Sequence, residues 1–381
     1  MMKSRSKIIA QRLTNPHTFL RTLYKHLYAR RIATLHNKYD GTKAVLGYPP
    51  QYVTLAIGGY CIYRCVYCAS HCPDSGKNQY SNHQYKMNYW MHYDEFCRLV
   101  DMCHEAKVPH VHMVAAGEPF LHRDILKMMD YLAERYGALS IQTDFDSRLF
   151  KKRELLDALV RRKDRILSIT TDVFPPDIHN DVKLGSRYEH LMDAMEYLSL
   201  RTPIYFRLHL ILTKETYKNV DLVLHDLHQR KIRAAYDIAN LHPYGFNDFT
   251  SMRNVYLSED THITESLVKA KSLGKQLGIE VNIPKPWDKS SGNERGNCVN
   301  FWSRFQVIPS KKLPKDRWIG NVVPSQCNAA VMGSLSSLGN IFDYDNLMDF
   351  WNNDKIVKIR NDLMRGRFPD PACERCYKFK R

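Results

Sequence analysis

The sequence predicts an α/β protein in which parallel strands curve into a partial (β/α)6 barrel around a polar lumen, followed by a small C-terminal α+β domain. Three observations carry this. Short β-rich runs alternate with helical patterns from Tyr52 to about Tyr244, an order that builds a parallel sheet with crossover helices. Three of the runs have one apolar and one polar face. Past Gly245 the alternation weakens, and four of the ten cysteines fall in the last 84 residues.

The strand candidates are YVTLAIG (52–58), HVHMVA (110–115), LSIQTD (139–144), ILSITTD (166–172), IYFRLHLIL (204–212) and AAYDIANL (234–241). Side chains alternate with period two along a strand. Leu139 and Ile141 therefore oppose Ser140, Gln142 and Asp144, and Leu167 and Ile169 oppose Ser168, Thr170 and Asp172. In the next run Phe206, Leu208 and Leu210 oppose Tyr205, Arg207 and His209. A parallel sheet covered by helices on both sides would be apolar on both faces, so the polar face must line a lumen or, at an edge, meet water. Arg207 and His209 are expected to face the reaction chamber, with Arg207 also able to pair with Asp172 or Asp144.

Four units follow along the chain: a basic helical extension (1–47), the barrel (48–250), a helical linker (251–295) containing a helix from about Asp260 to Leu277, and the C-terminal domain (296–381). That last unit holds FQVIP, WIGNVVPSQC and a helical run LMDFWNNDKIVKIRNDLM. At 44% hydrophobic residues the chain can fill a globular core. The formal net charge of +16 favours anionic partners. Residues 1–45 carry ten Lys or Arg against one acid, Asp40, which is +9 of that total. The extension is a cap on the barrel or an arm making peripheral membrane contact at an anionic surface. No run of about 18 apolar residues spans a membrane. The first residues have a basic start but no apolar core or cleavage site of a signal peptide. A cytoplasmic protein with reduced thiols is expected.

The stretch YCIYRCVYCASHCP holds Cys61, Cys65, Cys68 and Cys72 within twelve residues. Zinc sites usually pair one CxxC with another further along, whereas the first three cysteines here are spaced CxxxCxxC on one loop after the first strand. This arrangement resembles the cluster motif of the radical S-adenosylmethionine (SAM) enzymes. The resemblance implies a TIM-like partial barrel in which Cys61, Cys65 and Cys68 ligate three irons of a [4Fe-4S] cluster, the fourth iron being left for SAM. Tyr67 stands where the family often places an aromatic residue before the third cysteine. AAGEP, at the end of the second strand, resembles the family's GGEP motif and assigns Gly117, Glu118 and Pro119 to SAM binding, with Ala116 in place of the first glycine. Asp144 and Asp172 fall where the family has polar residues near the ribose and the reaction chamber; TDFD replaces the usual TNG, and helix capping or turn closure would use the same aspartates. Cys72 reads as a free thiol, and Cys97 and Cys103 as core residues.

Cys298, Cys327, Cys373 and Cys376 resemble the auxiliary cluster domain of this superfamily, in the shorter twitch form more than the longer SPASM form. Four thiolates suffice for one further [4Fe-4S] cluster, and would equally hold zinc. The resemblance implies reductive cleavage of SAM and hydrogen abstraction from substrate, with electrons from a flavodoxin- or ferredoxin-like donor. Arg207, His209 and Asp172 are the candidate catalytic residues. The expected reaction is oxidation or rearrangement of an anionic, carbohydrate-like small molecule. Peptide modification is the nearest alternative. An RNA-modifying enzyme would fit the charge, but no recognisable nucleic-acid module is present, so nucleic acid is the weaker expectation. A non-enzymatic metal-binding protein would explain the cysteines but neither AGEP nor the polar strand faces.

Overall fold

The computed structural model describes residues 41–68, 71, 89–114, 117–137, 139–144, 153–213, 216–240, 262–284, 298, 300–308, 320–324, 327, 335 and 337–373. The expected helical extension lies outside them up to residue 40, and residues 41–50 run as bends rather than helix.

All six expected strands form. They are β1 (Tyr52–Ala56), β3 (His110–Val114), β4 (Leu139–Gln142), β5 (Ile166–Asp172), β7 (Tyr205–Leu212) and β8 (Ala234–Asn240); β2 (Arg64–Cys65) and β6 (Lys183–Leu184) are a separate two-residue pair. The helices between them are α1 (Tyr93–Glu105), α2 (Ile125–Tyr136), α3 (Arg153–Arg161), α4 (His179–Val182), α5 (Tyr188–Arg201) and α6 (Val220–Gln229). Each has a local reason. The Glu95 carboxylate accepts from the His92 backbone N–H at 2.7 Å across the start of α1. Gly137, at φ +78°, ends α2 in a conformation that costs a residue without Cβ little.

Beyond β8 come α7 (His262–Leu277), β9 (Glu280–Asn282), α8 (Asn300–Ser303), β10 (Arg304–Ile308), β11 (Asn321–Val323), α9 (Leu347–Trp351) and α10 (Asp354–Met364). The sheet order is β11-β10-β1-β3-β4-β5-β7-β8-β9, parallel except for the β10/β11 pair. Strands from the C-terminal third thus extend both edges of the six-stranded core. The run LMDFWNNDKIVKIRNDLM is two helices, not one. Asn353 is extended, and its side chain accepts from the Ile356 N–H at 2.9 Å to start α10 afresh.

Partners across a ladder share a face, so the register shows which residues look inward together. Tyr52 pairs with His110 and Thr54 with His112; Gln142 pairs with Thr170, and Thr170 with Arg207. Asp172, His209, Asp237 and Asn282 form one row across four strands. The opposite face carries Leu55, Met113, Ile141, Ile169, Phe206 and Leu208, each fully buried in the main apolar core. One assignment needs correction. The register slips between Leu139 and Ser140, which pair with Ile166 and Ser168, so Leu167 is an extra residue in β5. Ile166 takes the buried place beside Leu139, and Leu167 is only half-buried. Beyond the slip the two serines meet, Oγ to Oγ at 2.8 Å.

Candidate functional site

The loop after β1 carries Cys61, Cys65 and Cys68; Cys65 is buried and the other two half-buried. Two backbone contacts hold this loop against the barrel. On one side β2 pairs antiparallel with β6, setting Cys65 opposite Lys183, and the Val66 N–H donates to the Val182 carbonyl at 3.0 Å. On the other side the Glu118 N–H donates to the Tyr60 carbonyl at 2.9 Å. A Cβ on Gly117 would lie 1.9 Å from that same carbonyl oxygen, so only glycine lets the two backbones approach this closely.

Glu118 joins the strand ends. Its buried carboxylate accepts from Phe120 N–H at 2.9 Å, Thr143 Oγ1–H at 2.5 Å and Asp144 N–H at 2.8 Å. Burial and then the charge of Asp144 raise its pKa from 4.5 to about 7, against the pull of those three donors. Pro119 opens the short 3-10 turn that follows.

Around the loop the structure brings Tyr67, Asp144 and Asp172 together through Lys183. The Tyr67 hydroxyl donates to Asp172 Oδ2 at 2.8 Å, and Lys183 Nζ donates to Asp144 Oδ1 and to the Asp172 carbonyl, both at 3.0 Å. Lys183 is fully buried. Burial opposes its charge, but Asp144, Cys65 and Asp172 outweigh it and raise the pKa. Burial also raises Asp172, helped by the Asp144 charge and opposed by His209 and Lys183. Burial leads in raising the Cys61 and Cys65 thiols as well.

Deeper in the lumen, His209 lies between two carboxylates. Nδ1 is 3.8 Å from Asp172 Oδ1 and Nε2 is 3.8 Å from Asp237 Oδ2. The partner of Arg207 is Asp237, not Asp172 or Asp144: Nε and Nη2 donate to Asp237 Oδ2 at 3.0 and 2.6 Å, while Asn282 Nδ2 donates to Oδ1 at 2.7 Å. The Arg207 side chain remains 53% exposed. His110 and His112 stack 6.3 Å apart beside Tyr52. Burial lowers them to about 4 and about 3, leaving both rings neutral at pH 7, and the buried Nδ1 of His112 has no hydrogen-bond partner among the described residues.

Sequence reasoning missed His110, His112, Asp237 and Lys183. The first three were visible to the period-two test: HVHMV and AAYDI alternate as the other strands do. Lys183 sits on a two-residue strand, too short to show a period.

Of the remaining cysteines, Cys298 and Cys373 are buried in the main core and Cys327 packs at its rim. Cys376 and Cys72 lie outside the described residues. Cys103 is core, whereas Cys97 is half-buried. Among the described residues no three His, Cys, Asp or Glu side chains converge on a single metal ion. A cubane asks for less convergence, because each thiolate ligates a different iron. A soft, all-thiol set on one stapled loop, with a glycine backbone drawn against it, fits an iron–sulfur cluster better than a hard cation.

A curved parallel sheet with thiols on the loop after its first strand, and a polar inner face, defines a partial-barrel domain built to hold a thiolate-ligated cluster at the C-terminal ends of its strands. Residues 55–227, a little under half of the chain, match the Radical SAM superfamily. Among solved structures the chain is similar to SuiB of Streptococcus suis. With the form bound to S-adenosylmethionine the TM-score is 0.61 at 16% identity, over 93% of this chain and 76% of that one. With the form bound to the precursor peptide SuiA it is 0.60 at 16% identity, over 88% and 71%. BtrN, in complex with AdoMet and 2-DOIA, overlaps more loosely, with a TM-score of 0.41 at 15% identity over 83% and 87%. At such identities the likeness is one of fold. No curated protein matched the chain. Among the described residues no helix is long and apolar enough to cross a membrane.

Proposed function

We propose that this chain is a radical SAM oxidoreductase acting on a small, anionic, carbohydrate-like substrate held in the lumen. The observation that supports the substrate class is the lumen wall itself. Its middle is made of His112, Gln142, Thr170, Arg207, His209 and Asp237, all hydrogen-bonding groups, while the apolar residues of that face, Ala56, Val114, Ile308 and Val323, gather to one side on β1, β3, β10 and β11. A cluster at Cys61, Cys65 and Cys68 with SAM supplies the hydrogen-abstracting radical when bound, and a second at Cys298, Cys327, Cys373 and Cys376 supplies the electron sink that an oxidation requires.

The chain's own residues do the rest. Asp237 fixes one edge of the Arg207 guanidinium and leaves the other N–H groups free for a phosphate or carboxylate. Asp172 and Asp237 flank His209 at 3.8 Å on either side and orient its imidazole towards a substrate hydroxyl. Gly117 and Glu118 hold the backbone that meets SAM, and Tyr67, through Asp172, closes the space between loop and lumen.

The test is formation of 5'-deoxyadenosine by anaerobically reconstituted protein. Phosphorylated or nucleotide-linked sugars should stimulate it above the uncoupled background, and R207L should lose the stimulation while keeping the background. Absence of stimulation, or an undiminished one in R207L, would overturn the reading. A second reading, peptide modification, is supported by the likeness to the SuiB structure that holds the precursor peptide SuiA. Stimulation by peptides and not by sugars would favour it.

A further inference from the structure

Lys183 is a fully buried ammonium, and the site described so far uses it only as a tether. Its position is unusual in three respects. It is the direct cross-strand partner of Cys65 in the β2/β6 pair, so the two side chains leave the ladder on the same face. It donates to Asp144 Oδ1 and the Asp172 carbonyl, both at 3.0 Å, and lies 5.6 Å from the centre of the Tyr63 ring. Among the described residues the titratable groups gathered around it, from all the packed elements, are Asp144, Asp172, Tyr67, Glu118, the three cysteines and His179, so it is the one cation described there against several groups that are negative or become so. Among the described residues the other bases near them are His209, 3.8 Å from Asp172, and His179, whose pKa burial and the Lys183 charge push down.

We propose that Lys183 is the counter-charge of the cluster loop: by offsetting Asp144 and Asp172 beside Cys65, it raises the potential at which a cluster held by Cys61, Cys65 and Cys68 accepts its electron. This rests on the reading that those three cysteines hold a [4Fe-4S] cluster. Reduction adds one electron, from dithionite in the test, and makes the cluster more negative by one charge. A fixed positive charge in a dry site stabilises the reduced form more than the oxidised one, and two uncompensated carboxylates do the reverse. Lysine delivers this charge without ligating a metal, because a protonated amine has no lone pair to give. The β2/β6 pairing fixes its distance from the loop through the backbone, where a mobile surface lysine would be screened by water.

The experiment is an EPR-monitored redox titration of the full, reconstituted chain, following the reduced-cluster signal that changes when SAM is added and so reports the cluster with an open iron. K183M should move the midpoint to a more negative potential, K183R should stay near wild type, and D144N, which removes a negative charge from the same pair, should move it the opposite way. K183M leaves Asp144 buried beside the loop without its cation; where that variant fails to fold, D144N carries the decision: a positive shift supports the assignment and an unmoved midpoint overturns it. Equal midpoints in wild type, K183M and D144N would reduce Lys183 to a structural tether. A wild-type protein with no SAM-sensitive signal would overturn the cluster reading itself, and the role of Lys183 with it.

Discussion

Among the described residues Lys183 and Arg360 are completely buried cations, and they sit in opposite kinds of surroundings. Lys183, beside the cysteine loop, faces the carboxylate of Asp144 and the carbonyl of Asp172, and its pKa is raised. Arg360, on α10, has no carboxylate partner among the described residues. It donates to the carbonyls of Phe301 at 2.7 Å and Ala44 at 2.8 Å and to Asn352 Oδ1 at 3.2 Å, with its guanidinium 4.4 Å from the centre of the Trp351 ring. Burial pulls it down to about 9, which still leaves it charged at pH 7. Asn352 in turn is bonded to both the N–H and the carbonyl of Leu46, so this cation and its neighbour tie residues 44–46 to α8 and α10. A charge answered by backbone dipoles and a ring face is a structural joint, even with Arg360 Nη2 left without a hydrogen-bond partner among the described residues. A charge answered by the carboxylate of Asp144, beside an Asp172 whose pKa burial raises, belongs to a site still responsive to protons, electrons and ligands.

The contrast breaks most sharply at the cysteines. Replacing Cys61, Cys65 and Cys68 together by Ala should abolish SAM cleavage and leave about half of roughly eight irons per chain, as two four-iron cubanes require. Iron and activity assays on reconstituted protein check this. Zinc in the remaining half would remove the auxiliary iron–sulfur cluster from the account, and loss of all the iron would mean that the two cysteine groups are not independent.

Arg360 should behave in the reverse manner. R360L leaves two buried carbonyls without donors and removes the stacking on Trp351, a loss of about 3 kcal/mol or more. Chemical denaturation measures it. The iron bound at the cysteine loop should be unchanged under conditions where the variant is folded. A fall in that iron in proportion to the fall in stability would erase the distinction between joint and site.

The smallest effect concerns protons. Glu118 is held at about 7 in the folded chain against 4.5 as its ordinary value. Between those values the folded state binds more protons than the unfolded one, so the contribution of Glu118 is complete below pH 4.5 and is lost as the pH rises through 7. Apo wild type should therefore lose stability relative to E118Q from pH 5 to 7.5, by on the order of 3 kcal/mol at most, at about 1.4 kcal/mol per pH unit. Denaturant midpoints of the two proteins across that range test it, and parallel curves would show that Glu118 titrates elsewhere.

The core strands were legible because apolar and polar side chains alternate along them, a pattern of period two that survives in single runs such as LSIQTD and IYFRLHLIL, even though the polar face of β1 and β5 is itself largely buried. The same test, applied to HVHMV and AAYDI, would have put His110, His112 and Asp237 in the lumen. The cysteine loop and AGEP were legible as motifs because a cubane constrains ligand spacing and a close backbone approach excludes any Cβ, as at Gly117. The slip in β5 was not, since an extra residue such as Leu167 leaves no mark on composition.

By itself, then, the sequence determined which segments are strands, which of their residues face a lumen and which three thiols share a loop, all properties written in neighbouring residues. Tertiary structure alone decided that β10 lies beside β1 across some 250 residues of chain, that Arg207 takes Asp237 as its partner, and that Lys183 sits under Cys65 while Arg360 is spent on backbone carbonyls. Lys and Arg look alike in a sequence wherever they occur. Their charges acquire a role only from what folding places within about 3 Å, because in a dry interior the nearest dipole or carboxylate dominates the energy.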